Sequence, residues 1–228
     1  MLDPSTHEHE EELRRREEAA RSSEGHSDDP IFEMVLRILE TEGASGDLVD
    51  VGCGRGDLFR ELPPGIRSYT GVDLVRYDGF PDSPAAKFRK SDLNQGLPLE
   101  DGVADIAVSI ETIEHLENPR ALFRELRRVL RPGGLLMVTT PNQLSVLSKL
   151  CFVLKDSFAH FQAVHYPAHI TALLPADLIN IGAELKLEKA RIVYSGDGRI
   201  PGTPLHWPAP LRGRSFSDNL AYVARKPG

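Results

Sequence analysis

The sequence predicts an α/β fold, a mostly parallel sheet covered by helices on both faces. Three observations carry this expectation. Short, largely apolar runs at 48–51, 69–74, 86–90, 105–110 and 135–140 are bounded by turn residues, as strands are. Segments with apolar residues at helical spacing separate several of them, which implies right-handed crossovers between parallel neighbours. Finally, the first run leads straight into "VGCGRG", with glycines at 52, 54 and 56. A strand, a glycine turn and a helix form a crevice for an anion or nucleotide at the carboxyl end of a sheet.

The elements follow in order. The first thirty residues contain ten acidic and four basic side chains and almost no core formers, so residues 1–28 are expected to be an acidic, disordered tail. Glu10–Arg14, Glu11–Arg15 and Glu12–Arg16 have the acid-first i,i+4 order that supports a transient helix there. Asp28, Asp29 and Pro30 start the first firm helix, and Ile31, Met34, Val35, Ile38 and Leu39 give it one apolar face. After the strand at 48–51, a short helix at 58–62 stops at Pro63-Pro64-Gly65. Strands at 69–74, 86–90 and 105–110 come next. Asn118 caps the following helix, Pro119 takes its first position, and Leu122, Phe123, Leu126, Val129 and Leu130 form its buried stripe. Pro132-Gly133-Gly134 ends it, and "LLMVTT" at 135–140 is a fifth strand. Helices are expected at 144–154 and 175–181, and two last strands at 185–194 and 219–225. The connection at 195–217 is rich in Gly and Pro, carries Trp207 and is too long for a tight hairpin. Residues 29–228 therefore read as one domain.

Composition narrows the function classes. No apolar run reaches the length of a membrane span, and the acidic N-terminus has no apolar signal segment. With two cysteines, Cys53 and Cys151, a disulfide framework is not expected, and a reducing cytoplasm is the expected location with no membrane partner. The net charge of −7 falls almost wholly on the first thirty residues, at −6. The near-neutral remainder argues against a broad nucleic-acid surface.

Dinucleotide enzymes use G-x-G-x-x-G with an acid about twenty residues later. Here Asp73 supplies such an acid, but the glycines read G-x-G-x-G after Asp50. The pieces "VDVGCGRG", "GVDL", "SDL", "DIAVSIETIEHLENP" and "LRRVLRPGGLLMVTTPN" occur in order between about residues 45 and 142. Together they resemble the class I S-adenosylmethionine-dependent methyltransferases, particularly the branch with E-x-x-E-H after the fourth strand, such as the quinone-biosynthesis O-methyltransferases. The resemblance implies a Rossmann-like, seven-stranded sheet whose last strand is antiparallel.

It also implies roles. Gly52 and Gly54 would bring bare backbone to the cofactor, and Asp50 would meet its amino group. Asp73, beside Leu74, would accept both ribose hydroxyls. Asp92 and Leu93 would meet the adenine, while Ser109, Ile110 and Glu111 line the cofactor. In some relatives Glu111, Glu114 and His115 correspond to ligands of a divalent cation such as Mg²⁺, completed by a later histidine; His165 and His169 are the candidates here. Without a metal, His115 is a candidate general base, since a neutral imidazole suits proton removal near pH 7. Cys53 reads as a packing residue.

Phe158, Phe161, His165, Tyr166 and Trp207 fall where the acceptor is expected and suggest an aromatic or lipid-like hydroxyl compound. Arg191, Arg199, Arg212 and Arg214 gather toward the C-terminal loop. The expectation is an enzyme that methylates the oxygen of a small molecule by in-line displacement. A 2′-O-methyltransferase of RNA ends and a catalytically silent cofactor-binding subunit are the alternatives. Oligomeric state is left open.

Overall fold

The computed structural model describes residues 11, 13–18, 20–21 and 25–228. Its elements run α1 (Asp29–Thr41), β1 (Gly46–Val51), β2 (Ile66–Asp73), β3 (Ala86–Lys90), β4 (Ala104–Ser109), α2 (Pro119–Val129), β5 (Leu130–Pro141), α3 (Val146–Lys155), α4 (Pro175–Glu184), β6 (Glu188–Tyr194) and β7 (Asn219–Arg225). Single 3-10 turns lie at Asp57–Glu61, Ile113–His115 and Ala163–His165. The strands form one seven-stranded sheet in the order β3-β2-β1-β4-β5-β7-β6. β1 pairs in parallel with β2 and β4, whereas β7 is antiparallel to both β5 and β6. The sheet class, strand number and antiparallel last strand are those expected.

This order places a topological switch between β1 and β4. Their crossovers leave on opposite sides, so a crevice opens at the strand carboxyl ends. Side chains alternate across the sheet. Val49, Val51, Ala107, Leu136 and Val138 pack with α2 and α4 on one face. Leu48, Ile106, Val108, Leu135 and Met137 pack with α1 on the other. The α1 face buries Ile31, Met34, Val35, Ile38 and Leu39, as its periodicity requires. On α2 the Asn118 side chain accepts the Ala121 N–H at 3.0 Å, filling the expected N-cap.

Several boundaries move. β5 begins at Leu130, not at 135, because Leu130 pairs with Ala104. Arg131 to Gly134 form an irregularity inside the strand, where Gly133 takes φ +77°. A Pro-Gly-Gly run can thus bulge a strand as well as end a helix. β6 begins at Glu188 because Leu185 still caps α4 and Lys186 has φ +55°.

The described residues of the segment expected to be an acidic tail make contacts with the rest of the chain. Residues 13–18 and 20–21 are helical and packed against the sheet's carboxyl edge. Arg15 pairs with Glu11 as expected at 2.5 Å, while the partners drawn at Glu10 and Glu12 lie outside the described residues. Arg16 instead reaches Asp92 and Glu117, each at 2.6 Å. Glu17 pairs with Lys90 at 2.7 Å, and Tyr77 donates its hydroxyl to the Ala20 carbonyl at 2.5 Å. Long-range partners of this kind are not visible in local composition.

Candidate active site

A cavity of about 980 Å³ opens at the switch point. Of the residues proposed from sequence, Asp50, Gly52, Gly54, Asp73, Leu74, Asp92, Leu93, Ile110, Glu111, Glu114 and His115 line it. Ser109 does not; it is fully buried and donates its hydroxyl to the Val51 carbonyl at 2.9 Å, tying β4 to β1 beneath the cavity.

The glycine turn is shaped by its neighbours. Gly52 has φ +79°, and a Cβ there would collide with the Thr112 hydroxyl; at Gly54, with φ +52°, it would collide with the Gly25 carbonyl. The same carbonyl accepts the Arg55 N–H at 3.0 Å. The turn is therefore clamped between the loop after β4 and the N-terminal segment.

Three acids line the adjoining wall. Tyr69 donates its hydroxyl to Asp50 Oδ2 at 2.7 Å, yet Asp50 Oδ1 is buried without a partner. Burial pushes the Asp50 carboxyl up to about 7, against the relief given by Tyr69 and with a further rise from Asp73. Asp73 accepts the Gly54 N–H at 2.9 Å and the Val75 N–H at 3.3 Å. Burial still holds its pKa above the ordinary range, opposed by those N–H groups. Asp92 accepts Arg16 on Oδ2 and the Asn94 N–H on Oδ1. Two buried, partly satisfied carboxyls fit a ligand that brings positive charge and hydroxyl donors. The amino and ribose groups of an adenosyl sulfonium compound are such donors, so Asp50, Asp73 and the turn backbone suit that cofactor.

The loop after β4 forms the other wall. Glu111 has φ +46°, an uncommon conformation for a side chain of this size. It is held by Thr139, whose hydroxyl accepts the Glu111 N–H at 2.9 Å and donates to Oε1 at 2.8 Å, and by Asn219, which donates to Oε2 at 2.7 Å. Glu114 Oε2 accepts Thr140 at 3.2 Å, but Oε1 is buried with no partner. Burial raises the carboxyl pKa of both glutamates, Glu114 to about 8. His115 donates Nδ1–H to the Ala168 carbonyl at 2.8 Å, and His169 donates Nδ1–H to the His160 carbonyl at 2.7 Å. Burial lowers both imidazole pKa values, that of His169 to about 4, so both rings are neutral at pH 7 and keep an Nε2 lone pair. Glu114, His115 and His169 bring one ligand atom each within 4.8 Å of one another.

Of the residues expected around a cation, Glu114, His115 and the candidate His169 come together, while the Glu111 carboxylate accepts from Thr139 and Asn219. His165 stacks on His169 with ring centroids 5.7 Å apart and lies outside the cluster.

Of the aromatic residues expected around an acceptor, Tyr166 lines the cavity, whereas Trp207 packs edge-on against Phe216. Two of the four arginines are committed elsewhere, Arg191 to Glu42 and Arg199 to Asp218. Burial drives the Cys53 thiol far above its usual range, which keeps it an unreactive packing group. Sequence reasoning missed Thr112, Thr139, Asn219 and Arg16. Thr112 is adjacent to an expected site residue, but Asn219 lies 108 positions from Glu111 and gives no local signal.

The strand order, the glycine turn and the acids ending β1 and β2 define a cofactor-binding α/β fold built for a donor-rich adenosyl ligand. A family model described as a methyltransferase domain matches residues 23–184, and the chain belongs to this family, within the class I S-adenosylmethionine-dependent methyltransferases. It is 27% identical over 179 residues to a ubiquinone biosynthesis O-methyltransferase of Xanthomonas oryzae pv. oryzae, covering 72% of each chain. It is 30% identical over 151 residues to a malonyl-[acyl-carrier protein] O-methyltransferase of Hahella chejuensis, covering 62% of this chain and 50% of that one. The chain spans about half the length of the Hahella protein and 45% of a Mycolicibacterium smegmatis relative. A Thermotoga maritima methyltransferase structure aligns with a TM-score of 0.64 at 19% identity, covering 95% of both chains, and shares the fold.

Proposed function

We propose that this protein transfers a methyl group from S-adenosylmethionine to an oxygen atom of a small-molecule acceptor. The observation that carries the reading is the neutral, half-buried His115 at the cavity wall, its Nδ1–H fixed on the Ala168 carbonyl. That tautomer leaves Nε2 as a base for a hydroxyl proton, which a phenol or enol acceptor must lose as it attacks. Two relatives whose names specify O-methylation favour the same direction.

The cofactor supplies an electrophilic methyl on a sulfonium. Asp50 receives its amino group, Asp73 the ribose hydroxyls, and the turn at Gly52 and Gly54 fixes its position; Asp92, Leu93 and Leu74 enclose the base. Glu111, held in its strained backbone conformation, shapes the wall opposite the turn. His115 then takes the acceptor proton at Nε2, and burial excludes competing water.

The alternative to a free His115 base is a divalent cation held by Glu114, His115 and His169, which would occupy the His115 Nε2 lone pair and lower the acceptor hydroxyl's pKa in its place. Two imidazoles and one carboxylate suit Mn²⁺ or Zn²⁺ better than Mg²⁺. The unpartnered Glu114 Oε1 supports this placement.

The test is production of S-adenosylhomocysteine against panels of phenolic, amine and thiol acceptors. Turnover confined to hydroxyl acceptors is expected, with His115→Gln lowering it at least about 100-fold while cofactor affinity is retained. Turnover confined to amines or thiols contradicts the oxygen assignment. Activity indifferent to EDTA and to added Mn²⁺ removes the cation.

A further inference from the structure

The chain segment that follows β5 carries an apolar surface, most of which lies outside the cavity. On α3, Leu150, Phe152, Val153 and Leu154 are exposed, the latter two at 76% and 71%. Val164 and Tyr166 continue the patch at 82% and 74% exposure. Phe152 and Phe158 stack on each other, with ring centroids 5.1 Å apart, rather than entering the core. An exposed apolar face of this extent on a ten-residue helix marks an interaction site.

Charge identifies the occupant. Helix α3 contains no acidic residue and two exposed lysines, Lys149 and Lys155. The loop fastened to its start adds exposed Arg212 and Arg214, through the Val146 N–H on the Ser215 carbonyl at 2.8 Å and Asn142 on the Arg214 carbonyl at 2.7 Å. Among the described residues these four cations form no ion pair, and Asp156 is the exposed acid nearest in sequence to α3. The same loop exposes Leu205 and Leu211. A cationic, apolar face on a chain of net charge −7 is a local exception to its overall sign. Apolar side chains backed by Lys and Arg are what an anionic lipid surface selects.

The patch also runs into the cavity mouth, because Tyr166 and Ile170 are both exposed and line the cavity. We infer that α3 and the 195–217 loop dock the protein on an anionic phospholipid bilayer, in the interfacial plane, with the cavity mouth toward the lipid. Among the described residues no helix is long and apolar enough to span a membrane, and none is needed for this mode. The inference rests on this surface alone, and not on the acceptor or the cation proposed above.

The test is flotation of the full chain with large unilamellar vesicles of phosphatidylcholine, with and without about 30% phosphatidylglycerol. Binding to the anionic vesicles is expected, weakening as salt rises. Replacing both exposed residues, Val153→Glu with Leu154→Glu, should reduce it at least about tenfold, and Lys149→Glu by severalfold. Cofactor affinity measured by calorimetry should be unchanged in each variant. Leu154→Trp should strengthen flotation, which decides the matter if the double variant is unstable.

Failure of the wild-type chain to float with either vesicle overturns the proposal. So does flotation insensitive to all three variants. Light scattering that shows a dimer dissociated by the double substitution also overturns it, assigning the face to a second copy of the chain.

Discussion

Asp50 is a buried cavity-lining carboxyl kept at the expense of stability. Its carboxyl is buried with one oxygen unpartnered, and its folded pKa of about 7 stands well above the unfolded value of 3.8. Between those values the folded chain holds a proton that the unfolded chain has lost, so this group makes stability fall as pH rises from about 4 to 7. Asp50→Asn should therefore be more stable than the wild type above pH 7, by up to about 4 kcal/mol, with the difference vanishing toward pH 4. Thermal unfolding of both proteins across that range checks the sign. The same variant should bind cofactor more weakly, and wild-type affinity should rise as pH passes through 7, because only the ionised carboxylate meets a cationic amino group. The residues of this wall were legible because each sits at a strand end beside a glycine or in a short acid motif. The partners that set their chemistry were not: Tyr69 lies on β2, and its hydroxyl contact with Asp50 depends on strand register.

Helices were legible where local chemistry determines them. Helix α2 has its cap, its N1 proline and most of its stripe within one stretch of sequence, and it starts as read, though it ends at Val129, before Leu130. Asn118→Ala should cost about 1 kcal/mol in chemical denaturation, with the m-value unchanged. Strand ends were less legible, since hydrogen-bond partners decide them. Leu130 is a strand residue because Ala104 lies beside it, and the bulge at Arg131 to Gly134 absorbs the Pro-Gly-Gly run. Helix α3 escaped its full reading for the opposite reason. Its apolar content predicted a helix, but periodicity does not tell which face a protein buries and which it leaves to a partner.

At the scale of the molecule, the described residues of the acidic N-terminal segment lie across the Asp92 end of the cavity. Arg16 bridges Asp92 and Glu117, Glu17 pairs with Lys90, and Gly25 sits on the glycine turn. Composition pointed to a solvated tail because the partners of Arg16 and Glu17 lie more than seventy residues away. Arg16→Ala should speed cofactor dissociation about three- to tenfold, and added salt should do the same in the wild type but less in the variant. Stopped-flow displacement measures both. Beneath these contacts, the account depends on the turn at residues 51–56 and Asp73 jointly holding the adenosyl cofactor. Isothermal titration of S-adenosylhomocysteine into wild-type protein and Asp73→Asn tests it most directly. The account predicts one site per chain in the wild type, with affinity lowered at least about tenfold by the substitution. Absence of binding to the wild type, or equal affinity in both proteins, would contradict it.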